Sequence, residues 1–378
     1  MRGRACPSWY YASVSTSTRP EAVRRQVRWA VRAVASQDPD TPERQRKCGV
    51  VSLGDGVQIR VKDGAYFCGL TTCGSVWRCT VCSAKVRATR ADELVRALEA
   101  HYAAGGAVHL LTMTVAHDKT DRLARLLGVE TAAWKLITNG GAWTRLRKAT
   151  GLFGWVRALE ITEGDECGWH PHFHILLMTD DALDAAGLVA VKLHFTTRWA
   201  RACEAAGLRP PHPVHGVDFR ENVAAASEEL GKYVTKVQEG DWTVAHEVTR
   251  GDLKTGRGKS RTPFEILKAY QDGGDVADRD LWREYTQAVK GLSAVRWSRG
   301  LRARLLPDDD EKSDEDAALI DAGGVLLGEM SVHVWRRVVM ARLEIAVLEA
   351  AEDGGLDAVN GLLAAHGCGV AKVGVRDG

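Results

Sequence analysis

Residues 169–178 read Trp169-His170-Pro171-His172-Phe173-His174-Ile175-Leu176-Leu177-Met178. Side chains along a strand alternate faces, so His170, His172 and His174 project to one side while Phe173, Ile175 and Leu177 project to the other. Only 12 of the 378 residues are histidine, and three of them within five positions, opposite an apolar face, form a platform for a divalent cation. The bland alternative is a polar surface that happens to be rich in histidine. The run FGWVRALEIT at 153–162 is a strand of matching parity, with Glu160 and Thr162 on one face and Leu159 and Ile161 on the other. If residues 163–169 form the loop of a hairpin, Glu160 stands opposite His172. Two imidazoles and a carboxylate leave coordination positions for a phosphate oxygen and water, which suits Mn²⁺ or Mg²⁺ acting as a Lewis acid. Glu163 is the rival third ligand if the loop register shifts, and an ordinary surface carboxylate is the alternative for Glu160.

Working outward, AVHLLTMTV at 107–115 is a strand, 119–149 carries a helical pattern, 181–207 is helical, VHGVDFRE at 214–221 is a strand and ENVAAASEELGKYVTKV at 221–237 is a helix. With the two central strands the order is βαββαβα. It predicts an α+β protein whose central antiparallel sheet is of the ferredoxin-like, split βαβ kind. Upstream, SAKVRATRADELVRALEAHYAAGG at 83–106 is an amphipathic helix ended by Gly105 and Gly106. Downstream, Lys254, Arg257, Lys259 and Arg261 lie in a Gly-containing basic stretch, followed by Arg299, Arg302 and Arg304. PDDDEKSDED at 307–316 is expected to be a solvated linker before a helical tail.

Hydrophobic residues make up 45% and charged residues 26% of the chain, as in ordinary soluble globular proteins. No apolar run approaches the roughly 20 residues of a membrane span, and the first twenty residues hold no continuous apolar core of the secretory type. The expected location is therefore the cytoplasm, with no membrane partner. The formal charge of +2 conceals an asymmetry: residues 307–378 hold 6 Lys/Arg against 15 Asp/Glu, net −9, and residues 1–306 hold 45 against 34, net +11. A basic body suits a polyanionic partner.

Nine cysteines are present, and Cys68, Cys73, Cys79 and Cys82 follow C-x4-C-x5-C-x2-C. Clustering in a reducing compartment favours metal thiolates over disulfides, and four thiolates hold Zn²⁺ tetrahedrally. Cys48 is an alternative ligand, and reduced free cysteines are the bland reading.

On the helix after the last strand, Glu229, Tyr233 and Lys236 stand at i, i+4 and i+7 and share one stripe. A phenol with a reference pKa of about 10 needs a nearby cation or base to act as a nucleophile. Lys236 would lower the phenol pKa or stabilise a pentavalent transition state. Attack by Tyr233 on a DNA phosphodiester leaves a 5′-phosphotyrosine bond and a free 3′-hydroxyl, and Glu229 would then activate water for a second cleavage. The bland alternative is a buried tyrosine with solvated charges beside it.

His172, Phe173 and His174 together resemble the metal motif of the HUH endonuclease superfamily. HPHFHILL followed by EELGKYVTK is similar to the rolling-circle replication initiators of bacterial plasmids, in the branch that pairs one tyrosine with a glutamate. LLTMT at 110–114 resembles that family's first motif, a core strand without chemistry of its own. CGLTTCGSVWRCTVCSAKV, SRTPFEIL and WSRGLR resemble segments of actinobacterial plasmid initiators, with Thr80 where that group usually has proline. The resemblance covers about residues 48–306. Together with the pattern along the chain it gives an expected N-terminal region at 1–104 with a structural zinc knuckle, an endonuclease domain at 105–240 and a basic DNA-contacting extension at 241–306, while the acidic linker and helical tail at 307–378 lie outside the resemblance. The candidate DNA contacts in the two basic stretches are Lys254, Arg257, Lys259, Arg261, Arg299 and Arg302, with solvated surface as the bland alternative. The implied partners are a single-stranded or cruciform plasmid origin and a host helicase and DNA polymerase. Relaxases place their tyrosine before the histidine motif, whereas Tyr233 follows it. A single-tyrosine transposase shares this motif order but is a shorter protein. A metal-dependent small-molecule hydrolase leaves the tyrosine helix and the basic body unexplained, and a regulator without catalysis gives no reason to keep the whole site.

Overall fold

A computed structural model of the chain describes residues 20–62, 64–212, 216–221, 223, 260–320 and 323–372. It divides into two compact units, one of residues 1–86, 267–278 and 312–378, the other of residues 87–266 and 279–311.

The second unit is built on a six-stranded sheet. Its strands are β1 (Ala107–Thr114), β2 (Leu152–Gly164), β3 (Gly168–Thr179), β4 (Val217–Arg220), β5 (Ser260–Arg261) and β6 (Val295–Trp297). The order across the sheet is β4-β1-β3-β2-β5, with β6 also paired to β2. Every neighbouring pair is antiparallel. Between β1 and β2 lie helices α1 (Leu123–Ile137) and α2 (Gly140–Thr150), and between β3 and β4 lies α3 (Ala185–Ala205). The helical pattern read over 119–149 is thus two helices. Asn139 is extended and Gly140 has φ +77°, a left-handed conformation open to glycine that turns the chain between them.

The pleat divides β3 as its alternation requires. Phe173 lies 6.4 Å from the ring of Trp134, which stacks 6.0 Å from Phe195, so this face carries the helices α1 and α3. On the opposite face Leu176 and Met178 pack with Leu94 and Leu98 of the helix Thr80–Ala103, with Leu110 and Val156, and with Leu301 and Leu305. His170, His172 and His174 continue that second face. The short strands β5 and β6 fall in a region that the sequence marks only as basic and loop-rich. Pairings two or three residues long carry no readable period, and they form because the outer edge of β2 offers open backbone groups. Among the described residues no helix is long and apolar enough to cross a membrane.

The other unit holds a three-stranded antiparallel sheet in which the strand Gly56–Val61 pairs on one side with Ala65–Cys68 and on the other with Val325–Ser331. Val57, Ile59 and Phe67 are buried with Met330, Trp335, Val347, Leu348 and Leu363. Phe67 meets Trp335 edge-on at 4.8 Å, and Trp335 Nε1 donates to the Val50 carbonyl at 2.6 Å. The boundaries expected at 1–104 and 307–378 are therefore corrected here. The tail shares a sheet and a core with the N-terminal segment because its strand supplies the hairpin's missing neighbour. The acidic run is also not all linker: Ser313 and Asp316 form a reciprocal capping box on the helix Asp314–Leu319.

Candidate metal centres

The β2–β3 hairpin closes with Gly164 opposite Gly168, and Glu160 stands opposite His172. Glu160 Oε2 lies 3.1 Å from His174 Nε2 and 3.4 Å from His172 Nε2, and the two imidazole nitrogens are 3.1 Å apart. The carboxylate side chain is 17% exposed and the imidazoles 13% and 9%, so three donor atoms converge in a recess that solvent barely reaches. Thr112 of β1 is the register partner of His174, and its Oγ1 lies 3.3 Å from His174 Nδ1. With Nδ1–H donating to that hydroxyl, Nε2 keeps its lone pair for the recess. Within the motif at 110–114, read as a core strand without chemistry of its own, Thr112 thus touches a histidine of the cluster. The available signal was parity, since Thr112 shares a face with Leu110 and hence with the imidazoles.

His170 is not part of this cluster. Its Nδ1 lies 2.7 Å from Nε2 of His117, whose Nδ1 donates to the Cys167 carbonyl at 3.0 Å. Burial lowers the His170 pKa to about 4, with His172, His117 and Glu160 as lesser influences, so the ring is neutral. The expected third imidazole ligand is thereby corrected to one bonded to a second histidine, His117, which sequence reading missed because it lies on the loop after β1. Glu163, the rival carboxylate, points to the other face and is 5% exposed. It is held by Arg261 at 3.0 Å, because β5 pairs Arg261 opposite Glu163.

A second cluster lies in the other unit. Cys48, Cys73, Cys79 and Cys82 are all buried, with Sγ atoms within 4.8 Å of one another. Cys48 lies 3.6 Å from Cys79 and 3.4 Å from Cys82, and Cys73 lies 3.7 Å from Cys82. These separations are too long for disulfides. They match the roughly 3.8 Å edge of a tetrahedron with metal–sulfur bonds of about 2.3 Å. The structure groups Cys48, the alternative, and not the expected Cys68, with Cys73, Cys79 and Cys82. Cys68 ends a strand opposite Gln58 and lies outside the group. Cys48 is anchored where Arg32 Nε donates to its carbonyl at 2.7 Å and Gln45 Nε2 donates to the Arg78 carbonyl at 2.6 Å. Cys79 stands just before the helix Thr80–Ala103 and Cys82 in its first turn, which brings both sulfurs to the same end of that helix. Hydrogen bonds from Cys48, Cys73 and Cys79 pull the Cys82 pKa down, which favours a thiolate there.

Of the expected DNA contacts, Arg299 is exposed. Arg302 is instead turned inward. It is 8% exposed, and it is bonded to Asp309 at 3.1 Å and lies 3.6 Å from Glu93, so its charge is compensated internally. Glu229, Tyr233, Lys236, Lys254, Arg257 and Lys259 lie outside the described residues.

The replication-protein family matches the chain over residues 65–334. The chain is similar to "Protein rep" of Streptomyces lividans, 30% identical over 351 residues that cover 75% of this chain and 76% of that protein. It is also similar to the "Neomycin resistance protein" of Streptomyces cyanogenus, 31% identical over 134 residues, which are 29% of this chain and 31% of that protein. No solved structure matches. A match over more than half of the chain, together with a relative aligned across three quarters of both sequences, places the chain in the replication-protein family.

Proposed function

We propose that the protein initiates rolling-circle replication of a plasmid by nicking single-stranded origin DNA with Tyr233. The observation that carries this reading is the convergence of His172 Nε2, His174 Nε2 and Glu160 Oε2 to within 3.1–3.4 Å in a chain of the replication-protein family. The strand order β4-β1-β3-β2, with helices after β1 and β3, supports the ferredoxin-like sheet of the HUH endonucleases. Two nearly buried imidazoles and a carboxylate fit Mn²⁺ or Mg²⁺, which when bound would polarise a phosphate oxygen. Glu160, His172 and His174 would hold the ion, and Thr112 would orient His174. Four buried cysteines fit Zn²⁺ in a closed structural site at Cys48, Cys73, Cys79 and Cys82.

In this reading the Tyr233 oxygen attacks the scissile phosphorus. The phosphorus–oxygen bond to the 3′ carbon breaks, the leaving 3′ oxygen takes up a proton and the 5′ phosphate stays on the phenol. Lys236 offsets charge at the phosphorane-like transition state. Glu229 takes the proton of a water in the second cleavage, which avoids a second covalent bond. The free 3′-hydroxyl primes a host polymerase, with a host helicase opening the duplex or cruciform origin. A transposase or small-molecule hydrolase accounts less well for the family match.

Purified protein with Mn²⁺ is expected to nick an origin oligonucleotide and to remain on the 5′ side, as a peptide–DNA adduct at Tyr233 in mass spectrometry. The variant Tyr233→Phe loses the adduct, and continued nicking by it would reject the mechanism. Glu229→Ala keeps the first cut and impairs termination.

A further inference from the structure

Arg157 on β2 lies on the sheet face opposite the imidazoles. Its guanidinium carbon is 4.2 Å from the Phe173 ring centroid and 5.8 Å from that of Trp134. It is only 7% exposed, and among the described residues no carboxylate bonds to it. The one acid that acts on it, Glu130, is fully buried with neither carboxylate oxygen hydrogen-bonded. Burial pushes the Glu130 carboxyl up from its ordinary range, which disfavours the charged form that would offset the arginine. In the β2–β6 ladder the residue directly opposite Arg157 is Arg296, and like charges directly opposed in a sheet are unfavourable. A buried guanidinium facing another arginine, with no carboxylate hydrogen-bonded to it among the described residues, has room for a further counter-charge.

That counter-charge has a place to bind. Arg157 lines a cavity of about 640 Å³ between the α1–α2 turn and the β2–β6 edge, together with Arg147, Arg296, Arg299, Trp143 and Trp155. No aspartate or glutamate lines it. Arg147 is fixed by donating to the Leu152 and Phe153 carbonyls at 3.0 Å each. Arg296 and Arg299 are exposed and make no side-chain hydrogen bond or ion pair among the described residues. The volume lies within the roughly 300–1,000 Å³ of small-ligand pockets. Planar guanidinium groups beside indole rings suit a ligand with a phosphate and an aromatic base.

We propose that this cavity holds one nucleotide of a single strand, its phosphate between Arg157, Arg296 and Arg299 and its base against Trp143 and Trp155. Because it opens on the face away from His172 and His174, it holds a part of the strand that is not being cut. The inference rests on the proposed function only in requiring that the protein handle single-stranded nucleic acid; it does not require nicking.

The test uses the full chain and a fluorescent oligothymidylate without origin sequence, titrated by anisotropy at several salt concentrations. Arg296→Ala/Arg299→Ala is expected to weaken binding about tenfold and to flatten the slope of log affinity against log salt by about 1.4, as for two lost phosphate contacts on a single strand. Arg296→Lys/Arg299→Lys keeps most of that slope, and Trp155→Leu weakens binding with the slope unchanged. Competition by thymidine monophosphate would extend the pocket's ligands to free nucleotides of the same chemistry. Unchanged affinity and slope in the alanine pair would overturn the proposal, as would displacement by poly-glutamate as effective as by the nucleotide. Nicking of an origin oligonucleotide, measured in parallel, bears only on the proposed function. A protein that does not nick yet binds through Arg296 and Arg299 sinks the nicking mechanism and leaves the cavity standing.

Discussion

At the residue scale, Thr112 and Glu160 show how little is needed to orient a donor set. Thr112 Oγ1 lies within hydrogen-bonding reach of His174 Nδ1, and removing such an outer partner lowers metal affinity by about 10–100-fold. Thr112→Val is therefore expected to weaken Mn²⁺ binding by that factor in calorimetric titration while leaving the melting temperature of the metal-free protein close to unchanged. Unchanged Mn²⁺ affinity would remove Thr112 from the site. His109 makes a separate case. It is 1% exposed, its Nε2 lies 3.3 Å from Thr179 Oγ1 and it stacks 5.7 Å from Phe219. Burial pushes its pKa down to about 4 from the ordinary 6.5. The unfolded chain thus takes up a proton that the native ring refuses. The contribution is fully present above pH 6.5 and is lost as pH falls toward 4, on the order of 3 kcal/mol in total. Urea unfolding at stepped pH is expected to show this slope. In His109→Gln the slope is expected to be shallower, and an equal slope would show that His109 is not its source.

At the element scale, the approach to the helix Thr80–Ala103 decides which cysteines meet. With Zn²⁺ in the proposed four-cysteine site, Cys48→Ser is expected to lower the zinc content found by metal analysis and to reduce stability by several kcal/mol, since a structural metal contributes folding energy directly. Cys68→Ser keeps one zinc per chain. The reverse pattern would return the fourth ligand to Cys68. The edge of β2 is similarly constrained: a Cβ on Gly154 would sit 2.7 Å from Leu301 Cδ1 and 3.0 Å from Ser298 Oγ. That crowding falls where Ser298 Oγ accepts from the Trp155 amide at 2.9 Å. Gly154→Ala is expected to cost about 1–3 kcal/mol by overpacking, read from chemical denaturation.

At the scale of the whole molecule, the acidic end of the chain is a structural part of the N-terminal unit. The strand Val325–Ser331 completes the sheet around Gly56–Val61, and Trp335 and Leu363 fill the core with Phe67. A two-stranded hairpin alone is marginal in water. Truncation after Glu311 is expected to expose Val57, Ile59 and Phe67, to raise binding of a hydrophobic dye and to make the N-terminal segment sensitive to limited proteolysis. A truncated chain with wild-type protease resistance would contradict the shared core.

What the sequence by itself determined was local and periodic. The alternation of His172, Phe173 and His174, the parity of Glu160 and the order of strands and helices from 107 to 221 follow from strand and helix repeats acting on neighbouring residues. Only the tertiary structure decided which distant groups meet: Cys48 with Cys82, Arg261 with Glu163, His117 with His170, Arg157 with Arg296, and the tail strand with the N-terminal hairpin. Those pairings join residues far apart in the chain. No short-range repeat marks them, because they are selected by burial of apolar surface and by satisfaction of open strand edges once the units collapse.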